Sequence, residues 1–150
     1  MESPSSATPG RHLLIVDDEP AQVRLFQLSL EYLGLTHLCH SAANGSEALA
    51  FLYRRTPYEH APRPELIIMD LNLPGMDGCQ LVSLIKSDPE LRSIPVIMLS
   101  NSAHFEDVAS CYSALANAYI QKPASFNSNL EIVQALDRFW FQTVTLPQSV

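Results

Sequence analysis

The stretch Leu66-Ile67-Ile68-Met69-Asp70-Leu71-Asn72-Leu73-Pro74-Gly75-Met76-Asp77-Gly78 decides the fold of this chain. Its first four residues are apolar and are bounded by Pro64 and by the Pro74-Gly75 turn pair. Such a run is too short for a helix and is typical of a strand covered on both faces, as in parallel sheets. Because the run stops at a carboxylate, we predict a buried strand that delivers Asp70 to a loop.

Three other short apolar runs also stop at polar residues. The runs end at Asp17-Asp18, at Ser100 and at Lys122. In an open parallel sheet the ligand crevice lies beyond the carboxyl ends of the strands, so polar residues that follow several strands can converge on one point. We therefore expect these side chains to form a single site together with Asp70.

Between the strands, apolar residues recur at helical spacing. The spacing predicts five helices, which cover about residues 20–33, 44–55, a segment closing before Asp88, a segment from Phe105, and residues 127–142. A further, shorter strand is predicted over residues 37–41, where apolar and polar residues alternate. Together with the four apolar runs it makes five strands that alternate with five helices, which is a doubly wound α/β domain, and right-handed crossovers leave few ways to order its strands. We predict a flavodoxin-like five-stranded parallel sheet in the order 2-1-3-4-5, with its crevice between the first and third strands.

Length and composition limit the classes of protein. The chain has 150 residues, is 47% hydrophobic and has a formal net charge of −7. One globular domain of this size has enough material for a core. The absence of a dense Lys/Arg cluster argues against nucleic-acid binding, and no apolar run approaches the roughly 20 residues of a membrane span. We expect a cytoplasmic protein that binds neither nucleic acid nor membrane.

The domain boundaries follow from composition. A polar tail rich in Ser and Pro occupies residues 1–10, and we expect it to be disordered. The folded domain is expected over residues 11–142, with a C-terminal extension over residues 143–150. The cysteines, Cys39, Cys79 and Cys111, are odd in number and far apart, which predicts unpaired buried thiols in a reducing compartment.

The polar residues at the strand ends indicate a chemistry. Carboxylates held close together raise each other's pKa unless a cation is bound, and oxygen ligands from a loop suit Mg²⁺. Lys122 and Ser100 would suit two oxygens of a phosphoryl group on Asp70, and carboxylates are known nucleophiles for phosphoryl transfer. The chain has no glycine-rich nucleotide loop, so the donor is expected not to be a nucleotide bound by this chain.

These motifs identify a family resemblance that covers roughly Arg11 to Phe141. Their order and their positions at the strand ends resemble those of response regulator receiver domains, the phosphoacceptors of two-component signalling. The resemblance implies that a histidine kinase phosphorylates Asp70 and that the domain catalyses only its own phosphorylation and dephosphorylation. It also implies that Asp18 and the backbone carbonyl of Asn72 join Asp70 around Mg²⁺, with Asp17 acting mostly through water.

The same resemblance assigns further residues. It implies that Lys122 pairs with the phosphoryl oxygens, that Ser100 is the switch hydroxyl and that Tyr119 is the switch aromatic. A cis Lys122-Pro123 bond would also fit the family. One departure is visible, because the residue after the switch hydroxyl is usually Ala or Gly in the family and is Asn101 here. A larger amide beside the site would hinder an attacking water and slow the loss of the phosphoryl group.

A narrower resemblance concerns the partner. The Pro-containing loop before the third strand, the Leu-Asn-Leu-Pro sequence after Asp70 and the ending from Phe139 to Gln148 are similar to single-domain regulators of bacterial phytochrome kinases. The output would be a phosphorylation-dependent protein contact. Two alternatives stay open: a shuttle in a phosphorelay, and a phosphatase of the haloacid dehalogenase type, which generally places a second Asp where this chain has Asn72.

The aromatic ending also predicts self-association. Three successive residues of a helix span about 200°, so Phe139, Trp140 and Phe141 cannot all face the core. We expect Trp140 to lie on the core-facing stripe with Val133 and Leu136. A homodimer is therefore predicted through the fourth helix, fifth strand and fifth helix, extended by residues 139–146.

Overall fold

A computed structural model of the protein describes residues 10–147. The predicted disorder of the N-terminal tail therefore concerns residues that, except for Gly10, lie outside the described part, as do the last three residues of the C-terminal extension. The strands are β1 (His12–Val16), β2 (Leu38–Ala42), β3 (Leu66–Met69), β4 (Val96–Ser100) and β5 (Ala118–Gln121). The helices are α1 (Pro20–Tyr32), α2 (Gly45–Leu52), α3 (Gly78–Ser87), α4 (Phe105–Ser113) and α5 (Phe126–Leu136).

The five strands form one parallel sheet in the order β2-β1-β3-β4-β5, which confirms the predicted fold and strand order. In the central strand β3 all four side chains are buried, because helices cover both faces of the sheet. One core lies under α2, α3 and α4, and a second core lies under α1 and α5. No helix in residues 10–147 is long and apolar enough to cross a membrane.

Local sequence signals set most helix ends. Pro20 occupies the first turn of α1, where its missing N–H costs nothing, and Gly34 takes a φ of 70° just after that helix. The Asn44 side chain accepts a hydrogen bond from Glu47 N at the start of α2. Asp77 forms a capping box at the start of α3. These caps explain why the predicted helix starts agree with the structure to within a residue or two.

The end of α5 differs from the prediction. The α-helix stops at Leu136, and a π-helical turn follows over Asp137–Thr143. A π-turn brings residue i+5 under residue i, so Phe141 takes the place below Leu136 that an α-helix would give to Trp140. Phe141 is buried, Trp140 is half-buried and Phe139 is 50% exposed. Trp140 packs partly against the second core, as predicted, but Phe141 and not Trp140 is the aromatic that is buried in it.

A buried His-Asp pair attaches this π-turn to the sheet. His37 Nε2 lies 2.6 Å from Asp137 Oδ1, 100 residues away in sequence, and both side chains are almost fully buried. His37 Nδ1 accepts the Arg11 N–H at 3.1 Å, so Nε2 carries the ring proton and donates it to the carboxylate. Gln142 Nε2 donates to the second oxygen of Asp137. The C-terminal segment is thus held by polar contacts as well as by Phe141.

The prediction of unpaired thiols is wrong for two of the three cysteines. Cys79 on α3 and Cys111 on α4 form a disulfide, with their Cα atoms 5.1 Å apart. Their separation of 32 residues gave no sign of this, because only the packing of α3 beside α4 brings them together. Cys39 is free, and burial raises the pKa of its thiol to about 11.

One backbone expectation is not met. The cis peptide bond within residues 10–147 is Thr56–Pro57, whereas Lys122–Pro123 is trans. With this trans bond the Lys122 ammonium already reaches both Asp17 and Asp70.

The His37–Asp137 pair gives a first prediction. Asp137→Ala leaves the His37 ring N–H and the Gln142 amide without their buried acceptor, so we expect the free energy of unfolding to fall by about 2–3 kcal/mol. Urea denaturation measures the change. Glu131→Ala on the exposed side of α5 is the control and should cost less than about 0.5 kcal/mol. Equal losses in the two variants would contradict the structural role assigned to Asp137.

Candidate functional site

Three carboxylates meet at the carboxyl ends of two adjacent strands. Asp17 and Asp18 follow β1, and Asp70 follows β3, which pairs with β1 in the sheet. One oxygen from each carboxylate lies within 4.8 Å of the others. Asp17 and Asp70 are buried, whereas Asp18 is exposed. The structure thus brings together the three carboxylates that the strand endings predicted.

A buried ammonium lies against this cluster. Lys122, just after β5, places its Nζ atom 3.1 Å from an Asp17 oxygen and 3.5 Å from an Asp70 oxygen. The Lys122 backbone N–H donates to the Ser100 carbonyl at 2.7 Å, which fixes the strand end that carries the ammonium. Burial disfavours the charged ammonium, but hydrogen bonding and charge from Asp17 and Asp70 raise the pKa of Lys122 above its ordinary value.

The acidic side of the cluster is only partly neutralised. Burial, together with the charge of Asp17, raises the pKa of Asp70, and the ammonium of Lys122 opposes this shift. One Lys charge faces three carboxylates, so the ionised cluster has an uncompensated negative charge. Carboxylate oxygens are hard ligands that suit a small divalent cation, and the exposed face of Asp18 leaves room for the waters that Mg²⁺ retains. The residues present therefore fit such an ion.

The loop after β3 is held against the start of α3. The Gly78 N–H donates to the Leu71 carbonyl at 2.7 Å, and a Cβ atom at Gly78 would lie 2.3 Å from the Asp70 carbonyl oxygen. Only glycine allows this close approach. Asn72 lies between these contacts on the exposed part of the loop, at the position predicted to offer a carbonyl to the metal.

The two predicted switch residues are linked through a residue that sequence reasoning missed. Ser100 is fully buried at the end of β4, and its hydroxyl accepts the Ser102 N–H at 3.2 Å. The Tyr119 hydroxyl donates to the Ser102 carbonyl at 2.8 Å. The Tyr119 backbone N–H donates in turn to the hydroxyl of Tyr112 on α4. Ser102 therefore connects Ser100 to Tyr119, and no sequence signal beyond its closeness to Ser100 marks it.

Comparison with known proteins finds a family and relatives that match most of the chain. Residues 13–135 match the family described as response regulator receiver domain. The chain is 38% identical over 141 residues to the response regulator Rcp1 of Synechocystis sp., a match that covers 94% of this chain and 96% of that protein.

Two solved structures are similar over nearly their full length. The phosphorylated cyanobacterial phytochrome response regulator RcpA superposes with a TM-score of 0.87 at 38% identity, covering 93% of this chain and all of that one. The Mn²⁺-bound form of Rcp1 superposes with a TM-score of 0.84 at 38% identity, covering 92% of this chain and 99% of that one.

Proposed function

The chain belongs to the response regulator receiver domain family, and on this premise we propose that Asp70 accepts a phosphoryl group from a sensor histidine kinase. The observation that carries the proposal is the contact of one buried ammonium, Lys122, with both Asp70 and Asp17. That ammonium stands where charge would build up when a phosphoryl group is attached to Asp70.

In the proposed step an Asp70 oxygen attacks the phosphorus of a phosphohistidine. The new O–P bond forms as the N–P bond breaks, and the electron pair of that bond leaves with the imidazole, which takes up a proton. Lys122 would move its hydrogen bonds from the carboxylates to the phosphoryl oxygens. A Mg²⁺ ion held by Asp17, Asp18, Asp70 and the Asn72 carbonyl would offset the negative charge of the carboxylates and the phosphoryl group.

The partner is proposed from the similarity to phytochrome regulators. RcpA is described as a cyanobacterial phytochrome response regulator, and this chain matches it over nearly its whole length. We therefore propose a phytochrome-type histidine kinase as the phosphoryl donor. Transfer onward as a phosphorelay shuttle remains the alternative, and a cytoplasmic location and the absence of nucleic-acid binding stay predictions.

The assignment of Asp70 as the phosphoryl acceptor is tested by measuring the mass of the intact protein. Incubation with acetyl phosphate and Mg²⁺ should add one phosphoryl group to the parent protein and none to Asp70→Asn, because an amide oxygen is a poor nucleophile. Intact-mass spectrometry reads the result, and chelation of Mg²⁺ should reduce the parent's yield at least tenfold. The control Asp88→Asn should behave as the parent. An Asp70→Asn protein that is phosphorylated as readily as the parent contradicts the assignment, and catalytic turnover of a phosphomonoester would favour the phosphatase alternative.

Signal transmission is proposed to pass through Ser102. A phosphoryl group adds a charge of about −1.5 to −2, which would draw the Ser100 hydroxyl towards it and away from the Ser102 N–H. Because Ser102 also holds the Tyr119 hydroxyl, loss of the first bond would free Tyr119 to turn inwards. The equilibrium between two conformations of the α4 and β5 surface would then shift.

Ser100→Ala separates acceptance from signalling. The variant keeps Asp70 and Lys122 and should therefore be phosphorylated, but it lacks the hydroxyl that responds to the phosphoryl group. We expect the phosphorylation-linked shifts of the α4 amide resonances to fall at least threefold relative to the parent. Ser83→Ala on the exposed side of α3 is the matched control. Full-sized α4 shifts in Ser100→Ala would exclude this route.

The proposed homodimer uses the face of α4, β5 and α5. Large apolar side chains are exposed in or just after these elements: Tyr112 in α4 at 47%, Leu115 in the turn after α4 at 63% and Phe139 in the π-helical turn after α5 at 50%. The C-terminal extension contributes less than expected, because Leu146 packs partly against the second core of its own chain. Phe139 is thus the residue of the aromatic ending that best fits an interface.

The dimer is tested by Phe139→Ser rather than by truncation, since truncation at Arg138 would remove the buried Phe141. Burying a large apolar side chain is worth about 1.5–3 kcal/mol, and a two-fold interface contains it twice. Sedimentation equilibrium should therefore show dimerisation weakened at least tenfold. Leu84→Ser on α3, which removes an apolar side chain of similar exposure, should leave dimerisation unchanged. A parent protein that is monomeric at high micromolar concentration, with and without beryllofluoride, would refute the dimer.

A further inference from the structure

The disulfide joins two helices that are held very differently. The first, α3, is firmly attached: Leu81, Val82 and Ile85 are fully buried, and the capping box fixes its first turn. Its start also meets the Asp70 loop through the Gly78 N–H. Opening of this helix would expose a large part of the first core, so α3 is a fixed element beside the site.

The second helix, α4, has a single buried residue among its nine, which is Cys111. Phe105 at its start is 84% exposed and Tyr112 near its end is 47% exposed. A helix with so few buried apolar contacts opens at little free-energy cost. The disulfide is therefore formed by the one buried side chain of α4, that of Cys111.

The polar contacts of α4 lead to the proposed switch. Tyr112 accepts the Tyr119 N–H, and Asp107 accepts the hydroxyl of Ser102. Ser102 in turn contacts both Ser100 and Tyr119. Anything that restrains α4 against α3 also restrains these groups relative to the Asp70 loop.

We propose that Cys79–Cys111 is a reversible redox site whose bond ties α4 to α3 and limits the movement of α4 when Asp70 is phosphorylated. On phosphorylation, α4 would move fully in the reduced protein and only weakly in the oxidised protein. The link to phosphorylation rests on the proposed function, whereas the tethering of α4 does not.

The two sulfur atoms differ in access. Cys79 is half-buried and lines a groove between the helices together with Ser83 and Ser110, whereas Cys111 is fully buried. Reagents from solution would therefore react at Cys79. Cys39 packs against the other core, and burial raises the pKa of its thiol to about 11, so it is a poor partner for exchange.

Oxidised glutathione is a sufficient oxidant. The Cys79 thiolate attacks the disulfide of oxidised glutathione, forms a mixed disulfide and releases one glutathione. The Cys111 thiol then loses its proton, attacks the Cys79 sulfur and releases the second glutathione. One S–S bond is broken, one is formed, and two electrons pass from the cysteine pair to glutathione. A dithiol reductant reverses both steps, starting at the Cys79 sulfur.

The tether is tested by hydrogen exchange on the full chain. After treatment with oxidised glutathione, peptide mass spectrometry should find residues 79 and 111 cross-linked, and the α4 amides should exchange at least tenfold more slowly than after dithiothreitol. Cys79→Ser, chosen because its side chain is only half-buried, should exchange like the reduced parent under both treatments. Cys39→Ser should keep the full difference. Equal α4 exchange in oxidised and reduced parent, or no cross-linked peptide, overturns the proposal.

The coupling is tested with beryllofluoride and Mg²⁺. We expect the α4 amide shifts caused by beryllofluoride to be at least twofold smaller in the oxidised parent than in the reduced parent, and equal under both treatments in Cys79→Ser. Shifts of equal size in the two forms of the parent overturn the coupling. If beryllofluoride shifts no amide resonance, not even in the Asp70 loop, the proposed function as a phosphoacceptor is wrong. The hydrogen-exchange experiment then decides by itself whether the disulfide tethers α4.

Discussion

The contact of the Lys122 ammonium with Asp17 and Asp70 is the interaction on which the site depends. Two buried carboxylates beside each other would repel, and without a nearby cation their charged forms would be strongly disfavoured. Lys122 lies 105 residues from Asp17 in sequence, so the contact requires β1, β3 and β5 to end at the same edge of the sheet. The parallel topology supplies that edge, and the charge balance of the site follows from it.

The surroundings of the site divide into a fixed side and a movable side. The Asp70 loop is held by Gly78 and the capped start of α3, whereas Ser100 and Tyr119 are joined through Ser102 to the sparsely buried α4. We therefore expect a change of charge at Asp70 to move the groups on the α4 side rather than the Asp70 loop and α3. The disulfide is the covalent connection between the two sides, which is why its redox state would matter for signalling.

The C-terminal segment shows a different balance of forces. Phe141 fills the second core, while Asp137 bonds to His37 and Gln142 and so fixes the π-turn that places Phe141 there. The same turn leaves Phe139 outside. Burial of one aromatic within the chain and exposure of another for a proposed partner thus result from a single change of helical period.

The sequence by itself determined the strands, their order and the polar residues at their ends. Apolar runs that stop at Asp70, Ser100 and Lys122, together with local caps such as Asp77, are properties of neighbouring residues and can be read directly. The tertiary structure alone decided which distant groups meet. The Cys79–Cys111 bond depends on which helices lie side by side, and the His37–Asp137 pair depends on where a loop passes a helix. The greater burial of Phe141 than of Trp140 depends on a shift of the backbone hydrogen bonds from an i+4 to an i+5 offset, which periodicity in the sequence does not reveal because either aromatic satisfies the apolar pattern.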